Sequence, residues 1–138
     1  MDLTFMLVSD YANTTGDGKL NVMGIFGSIT ATTFPTTHPE MYVIAQLAAS
    51  PAEYSRTFKF ELKLMDEDGQ QIGNLITDAV VPRPEAGRYV RLNHVLRLVN
   101  ITFPQPGEYE FVVLVDNDVK GTLPIEVNQA NSDTTAQV

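Results

Sequence analysis

The sequence predicts an all-β protein, a two-sheet antiparallel β-sandwich of about eight strands. Apolar residues recur with a period of two in most segments, and Gly, Pro, Asn and Asp separate these segments at intervals of about ten to fifteen residues. No stretch carries the sustained period of a helix. A chain of 138 residues is long enough for one domain and too short for two of ordinary size. We expect one sandwich domain over residues 1–127 and a disordered tail over 128–138, where no apolar period is present.

The first two strands are predicted to form a hairpin over residues 3–29. The alternation of residues 3–11 returns from Leu20 onward, after a break at Asn13–Gly18. That break contains two glycines that can take positive φ, and Asn and Asp side chains that can bond their own backbone. A hairpin is not stable alone in water, so the rest of the chain has to supply the strands that cover it.

Short motifs in this hairpin point to a family. Asp10-Tyr11-Ala12-Asn13, Gly18-Lys19-Leu20-Asn21 and Gly24-Ile25-Phe26, followed by His38-Pro39, resemble the opening of an uncharacterised bacterial domain family of unknown function. The resemblance implies a small, soluble β-sandwich without an assigned activity. It implies no catalytic or ligand-binding residues.

The middle of the chain supplies three predicted strands. Thr30–Glu40 is rich in threonine and carries two prolines, so we expect a crossing loop there. Met41–Ala49 is apolar at nearly every position, as in a strand covered on both faces. Thr57–Met65 alternates cleanly and predicts a strand with one wet face. The acidic turn Asp66–Gly69 leads into a fifth strand at Gln70–Asp78.

A long loop precedes the sixth strand. Ala79–Arg88 contains two prolines and a glycine, which prevent regular pairing and predict an exposed loop. Tyr89–Phe103 then predicts a strand whose apolar side is formed by Val90, Leu92, Leu96 and Leu98.

The last two strands are predicted to form a closing hairpin. Glu108–Asp116 and Val119–Val127 flank Asn117-Asp118, residue types that tolerate the left-handed conformations of a tight turn. Pro106-Gly107-Glu108-Tyr109 leading into this hairpin resembles the closing strands of immunoglobulin-like modules, so we expect an immunoglobulin-like sandwich. This is an analogy of fold and implies no activity.

Composition argues against several classes of partner and location. The net charge is −8 and the nine basic residues are scattered, which disfavours binding to nucleic acid or to an anionic membrane. The chain has no cysteine, which excludes a disulfide framework and thiol-ligated zinc. Its first apolar run, Leu3–Val8, is interrupted by Thr4 and stops at Ser9, so it is neither a secretion signal nor a membrane span. We expect a cytoplasmic protein.

The sequence predicts no catalytic, cofactor-binding or metal-binding residues, and we expect no enzyme and no cofactor. No nucleophile elbow, phosphate-binding glycine loop or metalloprotease signature is present. His94 falls at an inward position of the sixth strand, where a satisfied core or rim histidine is favoured over a catalytic base. His38 lies in the predicted crossing loop, where we expect a turn contact with its backbone.

Three groups of carboxylates have two interpretations each. Asp66-Glu67-Asp68 lacks the spacing of an EF-hand and favours a solvated turn over a calcium site. Asp10 is favoured as a backbone-bonding or turn-capping residue over a site residue. Cation binding by Asp66 and Asp68, or by the turn containing Asp116 and Asp118, is left open.

Two predicted strands lack the polar outer face of a lone sandwich. Val112 and Leu114 point outward if Phe111 and Val113 point inward. The third strand leaves an apolar face outside whichever way it turns: Val43, Ala45 and Leu47, or Tyr42 and Ile44. Contiguous exposed apolar residues usually mark an interface. We therefore hypothesise a two-fold homodimer or larger assembly through Val43, Leu47, Val112 and Leu114. The alternative is a monomer in which Thr30–Glu40 covers these faces.

Alternating strand directions predict which loops share an end. Four loops gather at one end: Asn13–Gly18, Ser50–Arg56, Ala79–Arg88 and Asn117–Asp118. The loops at Thr30–Glu40, Asp66–Gly69 and Pro104–Gly107 gather at the other. The first end carries mixed charges from Arg83, Glu85, Arg88, Asp17 and Asp118. We predict that this end, with Arg83, Glu85 and Arg88, contacts partners.

Two functions remain from the residues alone. One is a non-catalytic protein-interaction or structural module that binds itself or a protein partner. The other is a β-sandwich that binds a small ligand, such as a glycan, with the loops at one end. An exposed aromatic platform favours the second, and Tyr54 and Tyr42 are its candidates.

Overall fold

The computed structural model describes residues 1–85 and 87–130, which form an all-β fold, as predicted. A single short 3₁₀ turn, Pro51–Glu53, occurs in the described part. The described strands number nine: β1 (Asp2–Thr14), β2 (Leu20–Ile25), β3 (Ser28–Ala31), β4 (Thr36–Ala49), β5 (Thr57–Met65), β6 (Gln71–Val80), β7 (Val90–Phe103), β8 (Gly107–Val115) and β9 (Asp118–Gln129).

The strands form two sheets, which confirms the predicted two-sheet architecture. The four-stranded sheet has the order β2-β1-β4-β7, and the five-stranded sheet has the order β3-β9-β8-β5-β6. All neighbouring strands pair antiparallel except β3, which pairs parallel to β9. The prediction of an all-antiparallel sandwich is therefore wrong for this pair.

The core lies between the sheets and follows the period of two. In β5, Phe58, Phe60, Leu62 and Leu64 are buried, while Lys59 and Lys63 on the opposite face are partly exposed. Glu61 shares the outer face with the lysines but is buried, and it accepts a hydrogen bond of 3.2 Å from Asn74 Nδ2. The predicted solvent-facing side of this strand is present, although one of its residues, Glu61, is buried.

The chain leaves the four-stranded sheet at Phe26-Gly27. The Phe26 N–H donates to the Val8 carbonyl in that sheet (3.1 Å), and the Gly27 carbonyl accepts from the Glu126 N–H in the other sheet (3.0 Å). The predicted second strand therefore ends early, and β3 begins a new direction beside β9. A hairpin running unbroken to residue 29 is wrong.

The predicted crossing loop Thr30–Glu40 is wrong at both ends, because Thr30 and Ala31 belong to β3 and Thr36–Glu40 belongs to β4. This part of β4 pairs with β7, from Thr36↔Phe103 to Glu40↔Val99, whereas pairing with β1 begins only at Tyr42. A proline is tolerated in a strand where one side has no partner. Asn100, which lies opposite Pro39 in this pairing, takes a φ of 53°.

Because β3 is a strand that the sequence did not predict, the chain reverses direction once more than expected. This changes which loops share an end of the sandwich. The Ser55 N–H donates to the Val81 carbonyl (2.9 Å) and the Lys59 N–H to Asp116 Oδ1 (2.9 Å), so loops 50–56, 81–89 and 116–117 meet at one end, in agreement with the prediction. We call it the Met1 end. Asn13–Gly18 is at the opposite end, because β1 starts at the Met1 end and runs antiparallel to β4. Its predicted placement is wrong.

The C-terminal part of the prediction also needs correction. Asn128 and Gln129 belong to β9, and the Ala130 N–H donates to the Ala31 carbonyl (2.9 Å). The predicted tail over 128–138 therefore starts too early, and residues 131–138 lie outside the described part. Among residues 1–85 and 87–130, no helix has the length and apolar character needed to cross a membrane.

Candidate functional site

Val43 and Leu47, two of the predicted interaction residues, face the core. Both have no exposed surface and belong to the cluster between the sheets. Tyr42 and Ile44 take the outer face of β4 instead. Val43 and Leu47 therefore cannot form an exposed patch, and this part of the prediction is wrong.

The outer face of β4 is covered by the chain itself. Tyr42 and Ile44 form a second apolar cluster with Ala12, and the partly buried side chains around it come from β1, β2 and β7: Phe5, Leu7, Leu20, Val22 and Val95. The hairpin β1–β2 thus supplies much of the cover. Thr30–Glu40, the predicted alternative cover, is not part of this cluster.

Val112 and Leu114 lie on the outer face of the five-stranded sheet, outside the core cluster. They are only 9% and 6% exposed. Val112 lies between Lys63 and Thr122, and the neighbours of Leu114 are Glu61 and Val119. These two residues therefore offer little apolar surface to a partner.

Three exposed apolar side chains lie together on the hairpin β1–β2. Tyr11, Met23 and Ile25 are 43%, 63% and 60% exposed. Tyr11 pairs with Met23 and Ser9 with Ile25, so the three side chains are neighbours on one face. The Tyr11 ring meets the Tyr42 ring edge-on, with centroids 5.2 Å apart. We call Tyr11, Met23 and Ile25 the hairpin patch.

Polar contacts and a glycine shape the hairpin behind this patch. Asn21 Nδ2 donates to Asn13 Oδ1 (3.0 Å), and the Lys19 N–H donates to Thr15 Oγ1 (3.0 Å). Gly24 has a φ of 71°, and a Cβ there would lie 2.6 Å from Asp10 Oδ2. Within the described residues the Asp10 carboxylate makes no hydrogen bond, so its expected capping role is not observed.

The sequence did not predict the exposure of the hairpin patch, because both faces of β2 carry apolar residues. Leu20 and Val22 pack into the cluster around Ile44, and Met23 and Ile25 remain exposed. The signal available in the sequence was that Val22, Met23 and Ile25 leave β2 without a polar face.

The predicted contact loop at the Met1 end holds Arg83, Glu85 and Arg88 in exposed positions. Arg88 Nη2 lies 3.7 Å from Glu85 Oε2. The Tyr54 hydroxyl accepts from the Arg88 N–H (3.0 Å) and donates to the Arg88 carbonyl. Tyr54 is therefore an anchor for this loop rather than a free aromatic platform. Asp17, predicted to join these charges, is at the other end.

An ion pair fixes the N-terminus at the Met1 end. The Met1 amino group lies 2.9 Å from Glu53 Oε2, and the Ser50 N–H donates to Glu53 Oε1 (3.0 Å). Burial alone would raise the pKa of Glu53, but the hydrogen bonds from Ser50 and the charge of the Met1 amine hold it below its ordinary value. The ion pair ties the start of the chain to the 3₁₀ turn Pro51–Glu53.

His94 points inward, as predicted, but it is not satisfied. Its Nδ1 is buried without a hydrogen-bond partner in the described part of the chain, and burial lowers its pKa. His38 lies in β4 rather than in a loop, with its ring 5.8 Å from that of Phe26. The two histidines occupy different surroundings and share no site.

The acidic turns use their carboxylates for backbone contacts. Asp66 Oδ1 accepts from the N–H groups of Asp68 (3.0 Å) and Gln70 (2.7 Å), and Asp116 Oδ1 accepts from Lys59. Over residues 1–85 and 87–130, no group of three or more side chains is placed to hold a metal ion. The contacts of Asp66 agree with the favoured interpretation of Asp66–Gly69 as a turn.

A groove separates the edge strands β6 and β7 on one side of the sandwich. Its volume is about 400 Å³, within the range of roughly 300–1,000 Å³ found for ligand pockets. Its floor includes the buried core residues Leu62, Leu64 and Phe111. Its walls are residues 72–75 of β6 and 97–102 of β7. We call it the seam groove.

The fold and these surfaces define a small β-sandwich protein. Residues 4–128 match the model of a family of unknown function, DUF6941, and the chain belongs to that family. The resemblance to an uncharacterised family is thereby confirmed. No curated protein matches the sequence.

Similar solved structures include parts of much longer glycoside hydrolases. Two are glycosyl hydrolase family 2 members from Bacteroides cellulosilyticus, at TM-scores of 0.43 and 0.40 and identities of 15% and 17%, covering 66% and 65% of this chain and 13% of each of theirs. A third is a β-glucuronidase from glycoside hydrolase family 2, at a TM-score of 0.38 and 16% identity, covering 71% of this chain and 11% of that one.

Proposed function

We propose that this protein is a non-catalytic interaction module that forms a two-fold homodimer through the hairpin patch. The observation that carries the proposal is the exposure of Tyr11, Met23 and Ile25 side by side on one face. An exposed contiguous apolar patch on a soluble domain commonly marks a protein interface. The hairpin patch replaces the residues Val43 and Leu47 that the sequence suggested.

The position of the patch favours a second copy as its occupant. β2 is an edge strand that pairs with β1 on one side only. Antiparallel pairing of β2 with the same strand of a second copy is compatible with a two-fold axis. It would satisfy the free backbone groups of this edge and bring the two hairpin patches together.

A ligand-binding role at the Met1 end is the second candidate. Tyr89 is exposed beside Arg88 and provides one aromatic ring there. Tyr54 is tied to the loop backbone and Tyr42 is nearly buried, so the two aromatic candidates for a glycan platform are both engaged. We therefore rank this role below self-association.

Charged substitutions test the proposal. The double variant Met23→Lys/Ile25→Lys should reduce the mass measured by light scattering to that of a monomer, because two charges cannot be buried unpaired in an apolar interface. Val119→Lys is the matched control, since Val119 is 57% exposed on the other sheet. Val112→Lys/Leu114→Lys tests the outer face of the five-stranded sheet. Dissociation by that variant alone would reject the hairpin patch.

A further inference from the structure

The side of the sandwich between β6 and β7 is only partly closed. These two strands are the edges of their sheets on this side. The loop of residues 81–89 joins them at the Met1 end. Toward the opposite end the seam groove lies between them, at residues 72–75 and 97–102. The groove is therefore a gap in the cover of the core.

Gly73 is one reason for this gap. It pairs with Leu64, whose side chain faces the core, and residues directly opposite each other share a face of the sheet. Position 73 therefore faces inward without a side chain, and a Cβ placed there would have no atom within 4 Å. Leu75 lies on the same face, lines the groove and is 39% exposed. An apolar occupant would fill this space and remove Leu75 from water.

The one charged residue that lines the groove already has a partner. Arg97 Nη2 lies 2.8 Å from Glu40 Oε2. Asn74 is also engaged, since its Nδ2 donates to Glu61 Oε2 (3.2 Å). The other nine lining residues besides two uncharged polar ones, Asn100 and Thr102, are apolar or glycine. This lining favours an uncharged, apolar occupant.

The dimensions of the groove suit a single extended chain. Its walls span residues 72–75 and 97–102, about 13–20 Å at a rise of about 3.3 Å per residue. A volume of about 400 Å³ over this length corresponds to a cross-section of about 20–30 Å². That is close to the width of one extended hydrocarbon chain.

The position of the groove between the sheets favours hydrocarbon over peptide. Backbone N–H and C=O groups of a strand lie in the plane of its sheet, whereas side chains project from its faces. The space between the two sheets is therefore lined by side chains. A peptide lying there would bury amide groups without hydrogen-bond partners, which costs free energy, and a hydrocarbon chain has no such groups.

We propose that the seam groove binds a single fatty acyl chain. The chain lies between β6 and β7, contacts the apolar floor at Leu62, Leu64 and Phe111, and keeps its polar end at the mouth of the groove. This site is separate from the hairpin patch, which lies on β1 and β2, and does not depend on the proposed homodimer.

A series of linear alcohols tests the chemistry and the location. Hexanol, octanol and decanol should each shift the NMR signals of residues 72–75 and 97–102. The dissociation constant should fall about tenfold for each two methylene groups added, because each added group leaves water. The compact alcohol 1-adamantanol has as many carbons as decanol and should bind more weakly, because it is too wide for the groove.

Several outcomes of this series would overturn the proposal. They are a dissociation constant that does not change with chain length, tighter binding of 1-adamantanol than of decanol, and signal changes absent from the groove. A peptide of alternating Val and Thr serves as the comparison. Changes at β6 caused by that peptide and by none of the alcohols would show strand addition at this edge instead of acyl-chain binding.

A matched pair of variants tests the groove itself. Gly73→Leu places a side chain in the gap and should weaken decanol binding at least tenfold. Ile76→Phe adds apolar bulk to the same strand on the outer face, opposite Glu61, and should leave decanol binding unchanged. Both are measured in the Met23→Lys/Ile25→Lys background, so that the hairpin patch does not bind the alcohol. Far-UV circular dichroism shows that each variant is folded, and unweakened binding by folded Gly73→Leu would contradict a site in the groove.

Discussion

The imidazole ring of His94 stacks on the phenyl ring of Phe60 inside the sandwich, with centroids 4.3 Å apart and ring planes 2° apart. The Phe58 ring meets the imidazole edge-on, at 6.1 Å. A proton added to His94 would place a charge among apolar rings. Burial therefore lowers the pKa of His94 below its ordinary value of about 6.5.

This burial predicts that the protein loses stability in mild acid. Below a pH of about 6.5 the unfolded chain takes up a proton at His94 that the folded chain accepts only at lower pH. The contribution of neutral His94 to the free energy of unfolding is fully present above about pH 6.5. It is lost as the pH falls toward the folded-state pKa of His94. Urea unfolding at about pH 8 and about pH 5.5 measures it. In His94→Phe the free energy of unfolding should fall less between these two pH values. An unchanged pH dependence in that variant would contradict the assignment of this effect to His94.

Truncating either of two core phenylalanines should be severe. Phe60 and Phe111 are fully buried, one on each of the central strands β5 and β8. Phe60→Ala or Phe111→Ala should lower the free energy of unfolding by about 3–5 kcal/mol, because each removes a large side chain and leaves a cavity. Val119→Ala, at an exposed site, should change it by less than about 0.5 kcal/mol. A loss below about 1 kcal/mol for either phenylalanine would show that the core is packed differently.

The hairpin depends on the conformation of Gly24. Its φ of 71° disfavours any side chain, and a Cβ would also meet the Asp10 carboxylate. Gly24→Ala should cost about 1–2 kcal/mol in the free energy of unfolding. The double variant Asp10→Ala/Gly24→Ala should recover only the part of this loss that comes from contact with the Asp10 carboxylate, since the backbone strain at position 24 remains. Gly16→Ala is the control, because no atom lies within 4 Å of a Cβ placed there. Equal effects of Gly24→Ala and Gly16→Ala would refute this role.

Removing the Tyr54 hydroxyl should loosen the loop at the Met1 end. Tyr54→Phe deletes the two hydrogen bonds to the Arg88 backbone. Trypsin should then cut after Arg88 faster than in the wild type, because the loop opens more often. Tyr109→Phe deletes the corresponding contacts with Gln105 at the opposite end and should leave the rate of cleavage after Arg88 nearly unchanged. Similar acceleration in both variants would indicate global rather than local opening.

The regular strands could be predicted from the sequence because one of their faces is buried and the other is exposed to solvent. The alternation in β5 identified its inward residues, and Leu92, Leu96 and Leu98 of β7 pack against the core as expected. β4 is different, since its centre is covered on both faces. Without a polar face, no periodicity could decide between Val43 and Ile44 as the inward residue.

The change of sheet at Phe26-Gly27 could not be predicted because its cause is distant in sequence. β3 has four residues, and its partners are in β9, with Ile29 opposite Val127. A pairing of this kind has no local signal beyond Gly27. The same reversal moved the turn at Asn13–Gly18 to the other end. It also made β2 a short edge strand, which leaves Met23 and Ile25 exposed.

Sedimentation equilibrium of the wild type beside Met23→Lys/Ile25→Lys tests self-association most directly. For a chain of 15.2 kDa, the wild type at micromolar concentration should approach twice that mass, and the variant should stay at 15.2 kDa with an unchanged sheet spectrum. A wild type that remains at 15.2 kDa throughout the concentration range, or a double variant that keeps the dimer mass, would contradict the account.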